Sequence, residues 1–345
     1  MNMTQEAKAP NRDMSVELLQ NLLKRYGSEA VEQAKKSILD EPFEDKIVSD
    51  TLRYFMCDYW KDYATPTLLS LAHEAVRGNS RSLASVASAL ILINGAVDIH
   101  DDVVDRSKQK DGRPTVYGKF GEEVALLVGD ALLIKGFLML AMACRRLDRE
   151  KREEIMDVLK RGLFELGEAE VIELRCRGAT GVKPKDYLKV MKKKAADVEA
   201  LMRLGAILGN AEKGEIEALG KYGRILGLIS ILRDDIIDMT LQEELRHRLE
   251  YECLPLPLLF AIQDAESHVE LLELIRNGMK TDSDYARICI LAGQGLKKAT
   301  NYVNELVIKG NTSILDLRER KRELRLILTC LADLTEYGIP NPNGT

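Results

Sequence analysis

A single all-α domain is what this sequence predicts, on three observations. Apolar residues recur at three- and four-residue spacing over long runs, the short alternating runs that mark strands are almost absent, and proline is sparse inside the long runs. The chain has 345 residues, 46% hydrophobic and 30% charged, which supplies a substantial core and excludes a disordered or collagen-like chain. Length by itself leaves one or two domains open. No break in the pattern has the composition of a flexible linker, so one domain over residues 13–337 is expected, with 1–12 and 338–345 as disordered tails.

The elements follow in order from those signals. A helix over Leu83–Ile99 follows the Gly78–Ser80 break, and one over Val124–Cys144 follows the glycine- and proline-containing stretch Lys108–Thr115. A third, Arg152–Leu174, runs to the next break at Arg177–Pro184; Tyr187–Leu208 and Ile216–Asp238 come after it, and prolines interrupt the chain again at Pro255–Pro257. The run Val124–Cys144 is interrupted by Asp130 and Lys135 and falls short of the roughly 20 uncharged residues of a membrane span, so no transmembrane segment is expected. A net charge of −5 gives no general attraction to nucleic acid. Six cysteines without a CxxC pair, and an N-terminus without the apolar stretch of a secretory signal, point to free thiols in the cytoplasm. His73, His247 and His268 are isolated and read as packing or surface residues.

The chemistry lies in two copies of one pattern. Asp101, Asp102 and Asp105 form a DDxxD at the end of one long apolar run, and Asp234, Asp235 and Asp238 form another at the end of a second. On a helix these spacings gather the carboxylates on one face. Their mutual repulsion calls for a counter-charge, and Mg²⁺ suits it, because this hard ion is held by a few carboxylates together with substrate phosphates. One such pattern among 55 acidic residues is most often a solvated helix end. Two copies facing each other would instead form opposed walls above apolar helices, a geometry suited to a diphosphate carried on a hydrocarbon tail.

Around these motifs the chain resembles the polyprenyl synthase family of trans-prenyltransferases, with its isoprenoid synthase fold. The resemblance runs through HDDVVD (His100–Asp105), GRPTVYGKFG (Gly112–Gly121), LVGDALL (Leu127–Leu133), GEAEVIEL (Gly167–Leu174), Lys194-Ala195-Ala196 and the stretch Tyr222–Asp238. It implies a bundle of long helices around a deep apolar cavity, with the six aspartates holding roughly three Mg²⁺ ions when the diphosphate is bound. It also implies that Lys194 binds the diphosphate of an allylic substrate, that the ionised substrate is attacked by isopentenyl diphosphate, and that the protein is a homodimer whose lipophilic product passes to a membrane.

The departures from the family pattern are one-sided. Where the family has a GKRxRP segment for isopentenyl diphosphate, this chain has Lys61-Asp62-Tyr63-Ala64-Thr65-Pro66, with Asp62 in the place of the lysine and Tyr63 and Thr65 in those of the arginines. The arginine pair after the first motif is Lys110-Asp111, the FQ pair before the second is Ser230-Ile231, and the later GKxxGxD...KxT segment is replaced by Leu241–Pro257. A second diphosphate beside Asp62 and Asp111 would meet repulsion on the order of kcal/mol.

The leading expectation is therefore a class I terpene synthase, cyclase-like, in which one allylic diphosphate ionises and the cation reacts internally. The alternative is a chain-elongating trans-prenyltransferase, a geranylgeranyl-type synthase whose co-substrate uses Lys61, Lys108, Lys110 or Arg113; the third reading is a non-catalytic regulatory subunit. Asp98 and Asn94 lie on the helical face of Asp101, where they could steer a cation or take a proton, or where Asp98 could pair with a neighbouring Lys or Arg or join the metal shell. Against cyclisation stands a low aromatic content, since rings often line carbocation cavities. The stretch Leu90–His100 has no aromatic residue, and Gly95 and Ala96, with Val97 beside them, stand where the family's shorter-chain members carry bulky floor residues. That resemblance implies a deep cavity and a substrate of C20 or longer.

Overall fold

In the computed structural model, which describes residues 12–110, 112–264 and 268–339, the chain opens with α1 (Arg12–Leu39), α2 (Lys46–Arg53), a π-helical turn (Tyr54–Tyr59), α3 (Ala64–Ala75) and α4 (Leu83–Val104). The expected tails lie for the most part outside these residues, as do Asp111 and the side chain of His268. A two-residue hairpin, β1 (Gln109–Lys110) with β2 (Arg113–Pro114), follows α4 where sequence predicts only a break. Then come α5 (Val116–Phe120), α6 (Glu122–Cys144), α7 (Arg149–Leu174), α8 (Pro184–Lys194), α9 (Ala196–Leu208) and α10 (Lys213–Asp238). The chain closes with α11 (Gln242–Tyr251), α12 (Leu256–Ile262), α13 (His268–Arg276), α14 (Asp282–Ser313) and α15 (Lys321–Ala332).

Helix α4 is central, packed by α6, α1 and α3, and so its sequence is apolar all round: Leu90, Ile91, Leu92, Ile93, Ala96 and Ile99 are all buried. On the other side α10 packs on α9 and α14, and α7 on α9. Helix starts are fixed locally: Asp148 Oδ1 accepts from the Lys151 N–H at 2.8 Å, Pro184 opens α8, and capping boxes open α10 and α14. The run predicted as one helix, Tyr187–Leu208, is two, broken at Ala195.

Among the described residues two helices, α4 and α6, have the length and mean apolarity of a membrane span, as long core helices also do, but both carry the charged interruptions read from the sequence. In α4 this follows from its central position. In α6 the inner stripe Ala125, Val128, Leu132 and Leu140 faces the core, while Leu127, Ile134, Leu138 and Met142 on the other side are 69%, 60%, 59% and 75% exposed. The two ends of the described chain meet: Arg12 pairs with Glu336 at 2.7 Å and Asp333 at 3.3 Å, and Glu336 pairs with Arg233 at 3.6 Å.

Candidate active site

The C-terminal ends of α4 and α10 border one pocket of about 1430 Å³. At the end of α4 the chain turns sharply through Arg106, whose φ of 56° lies in the left-handed region, and the Ser107 N–H donates to the Asp102 carbonyl at 2.8 Å. This turn sends the hairpin back over the helix. Tyr54 Oη donates to the Pro114 carbonyl at 2.5 Å and Arg113 to the Asp58 carbonyl at 3.2 Å, so the hairpin is fastened to the π-helical turn. Lys110 then reaches Asp102 at 2.6 Å and Asp98 at 3.6 Å.

The first motif is thereby split into two stripes. Asp101 and Asp105 line the pocket. Asp102 is 1% exposed and does not line it; with Asp98, one turn earlier, it belongs to Lys110. Of the roles open to Asp98, the structure supplies pairing with a neighbouring lysine. Asp105 also pairs with Arg177 at 3.0 Å, and Arg177 donates to the Val104 carbonyl at 2.5 Å.

The second motif differs: Asp234, Asp235 and Asp238 all border the pocket, although Asp235 is only 1% exposed and has both oxygens engaged. Its Oδ2 accepts from the Leu256 N–H at 2.8 Å, and its Oδ1 accepts from Tyr187 Oη at 3.3 Å and from Arg248. Arg248 also pairs with Glu252 at 2.9 Å and approaches Asp238 at 3.7 Å. Asp102 and Asp235 are the most deeply buried of the six aspartates, and each has an internal cationic partner, Lys110 and Arg248 respectively, as a buried carboxylate requires.

Lys194 lines the same pocket, its ammonium 2.6 Å from Glu173 and 3.1 Å from Glu170. Burial would lower its pKa, but those glutamates and Asp101 hold it above the ordinary lysine value. The carboxylates are less well supplied with charge. Burial, and then repulsion from Asp101 and Glu252, push Asp105 up to about 7. Burial pushes Asp238 to about 7, even against Arg248, and Asp234 to about 6. Oxygen donors short of cation on two helix ends fit Mg²⁺ chemically. Among the described residues no group of three or more His, Cys, Asp or Glu side chains is placed to hold a metal ion by itself.

Other expected substrate contacts lie elsewhere. Asn94, Ala96 and Val97 do not border the pocket: Ala96 is buried in the core, and Asn94 Nδ2 donates to Thr65 Oγ1 at 2.7 Å. Asp62 Oδ1 accepts from the Thr65 N–H at 2.8 Å, and burial holds its carboxyl above the usual range. Asp62, Thr65 and Asn94 therefore form a closed polar cluster at the segment aligned with GKRxRP. The open floor inferred at Gly95 is also corrected. Phe55 and Trp60 stack at 5.1 Å and cover it, so that a Cβ there would lie 2.9 Å from Phe55. The aromatic residues are few but concentrated in this turn.

Sequence reasoning missed Arg248 and Arg177. Arg248 sits in Leu241–Pro257, the segment whose family pattern is lost, and its spacing from Asp235 carries no local signal. Arg177 lies in a stretch that reads only as a break.

The polyprenyl synthetase family model matches residues 56–290. A geranylgeranyl diphosphate synthase from Methanosarcina mazei is 36% identical over 182 residues, 52% of this chain and 55% of that protein. A short chain isoprenyl diphosphate synthase from Methanothermobacter thermautotrophicus is 31% identical over 228 residues, covering 65% of this chain and 67% of that one. Thus the chain spans from about half to two thirds of the length of these relatives. Among solved structures, geranylgeranyl pyrophosphate synthetase from Pyrococcus horikoshii superimposes with a TM-score of 0.81 at 21% identity, over 92% of this chain and 99% of that one. A polyprenyl synthase from Caulobacter crescentus complexed with calcium and isoprenyl diphosphate gives 0.75 at 22% identity, over 90% and 96%.

Proposed function

The chain belongs to the polyprenyl synthetase family, and from that premise we propose that it is a Mg²⁺-dependent prenyltransferase that ionises an allylic diphosphate and extends it with isopentenyl diphosphate, in the manner of a geranylgeranyl-type synthase. Cyclisation, which led the reading of the sequence, ranks second to this alternative, because the relatives are named as diphosphate synthases. The observation that carries the proposal is the pair of aspartate walls, Asp101 with Asp105 and Asp234 with Asp238, bordering one pocket together with Lys194.

Those four carboxylates would hold the metal, and bound Mg²⁺ would neutralise charge developing on the departing diphosphate. Lys194 and Arg177 line the pocket as point charges for the diphosphate oxygens. Each must exchange a carboxylate partner for substrate, Lys194 from Glu173 and Glu170 and Arg177 from Asp105. Ile93, Ala96 and Ile99 of α4, before the aspartates, are buried in the core, and an apolar space opened beside them on binding would keep water from a reacting cation. A homodimer in the cytoplasm completes the proposal, supported by six free thiols and the exposed apolar side of α6.

One observation favours the second reading. The cluster of Asp62, Thr65 and Asn94 offers a second diphosphate no cation, and under this reading the allylic cation reacts internally. Incubation with Mg²⁺ and geranylgeranyl or farnesyl diphosphate, with and without isopentenyl diphosphate, separates the two by mass spectrometry. A longer linear diphosphate formed only with the co-substrate is the expected result; a hydrocarbon or alcohol formed without it would establish the second reading instead.

A further inference from the structure

The break at Ala195 that separates α8 from α9 falls one residue after Lys194, so whatever fixes the break also fixes the direction of the lysine. Three elements converge there. Gly227 of α10 lies so close that a Cβ on it would be 2.9 Å from the Cβ of Ala195. Three residues earlier on the same helix, Arg224 donates to the Lys192 carbonyl at 2.6 Å. In an unbroken helix that carbonyl would face the N–H of residue 196.

Arg224 is itself locked on both sides. Its guanidinium makes a two-pronged pair with Glu165 of α7 at 2.9 and 3.0 Å, and its Nε donates to Glu199 of α9 at 2.5 Å. Glu199 is shared with Arg203 at 2.7 Å, which grips Glu217 by two bonds of 2.9 Å. A charge chain Glu217–Arg203–Glu199–Arg224–Glu165 therefore ties α7, α9 and α10 together outside the aspartate-walled pocket, and Arg224 is its member whose side chain donates to the backbone at the break.

Resting on the proposed diphosphate-binding role of Lys194, we infer that Arg224 is a positioning residue: by holding the Lys192 carbonyl it aims Lys194 into the pocket. Arg203 shares the same charge chain without touching the break, which makes it the control for stability alone.

The test is titration of wild type, Arg224→Met, Arg203→Met, Lys194→Met and the Arg224→Met/Lys194→Met double variant with inorganic pyrophosphate in excess Mg²⁺, with melting temperatures in parallel. Arg224→Met is expected to weaken binding roughly tenfold, Arg203→Met less than about twofold at a similar loss of melting temperature, and the double variant no more than Lys194→Met alone. Arg224→Lys, which keeps the charge but not the fork, should fall between wild type and Arg224→Met, and serves in its place if the latter does not fold. Equal weakening by Arg224→Met and Arg203→Met, or additive losses in the double variant, would overturn the inference. Absence of pyrophosphate binding by wild type would overturn the functional reading beneath it, and the inference with it.

Discussion

The six aspartates divide between carboxylates open to the pocket and two buried ones, Asp102 and Asp235, held by internal partners, so the two kinds should fail in different ways. Asp101→Ala removes a pocket-facing carboxylate and should abolish turnover while leaving the melting temperature nearly unchanged. Asp235→Ala leaves Arg248 to Glu252 alone and removes the acceptor of Tyr187 Oη and the buried Leu256 N–H, and should cost about 1–3 kcal/mol of stability in urea unfolding. Equal melting temperatures for the two variants would refute the division. The raised carboxyls also set a pH dependence. A carboxyl whose folded pKa lies above its unfolded value stabilises the fold fully below the unfolded value and loses that contribution as pH rises through the folded one. With Asp105 and Asp238 near 7 and Asp234 near 6, the metal-free protein should melt at a lower temperature at about pH 8 than at about pH 5.5, and Mg²⁺ with pyrophosphate should narrow the gap. A metal-free melting temperature that does not fall over this interval would show that the carboxylates are already neutralised. The DDxxD spacing made the six residues legible in sequence; which members turn inward depended on Lys110 and Arg248, brought in by distant segments.

At the level of elements, the long helices were legible because their apolar spacing is repeated over many turns, and their ends fall within a few residues of the chain breaks. The exceptions are local distortions. The break at Ala195 interrupts an apolar pattern that continues unchanged, and the close approach of α10 at this point, through Gly227, has no local signal in the sequence. The π-helical turn likewise looks like ordinary helix in sequence, yet the Trp60 N–H donates to Phe55, five residues back, at 2.8 Å, and this extra residue swings Phe55 and Trp60 over Gly95. Gly95→Ala should therefore lower stability by about 1–3 kcal/mol through overpacking. Trp60 is the sole tryptophan of the chain, so its fluorescence reports the change directly. An unaltered spectrum and melting temperature would mean that the stack yields without strain.

For the whole molecule, the unmatched feature is the outer stripe of α6. Exposed apolar residues scattered singly are ordinary, but Leu127, Ile134, Leu138 and Met142 recur along one helical face. If this stripe is the homodimer contact, sedimentation should show a dimer that Leu127→Glu with Leu138→Glu converts to a monomer; a wild-type monomer at micromolar concentration would exclude it. The ion pairs at Arg12 reach as far as the second aspartate motif. Arg12 is bonded to Glu336, and Glu336 to Arg233, the neighbour of Asp234. Cutting that link, by Arg12→Ala or Glu336→Ala, would loosen Arg233 at the pocket wall while leaving every aspartate in place, so the first described helix acts as a latch on the rim of the site.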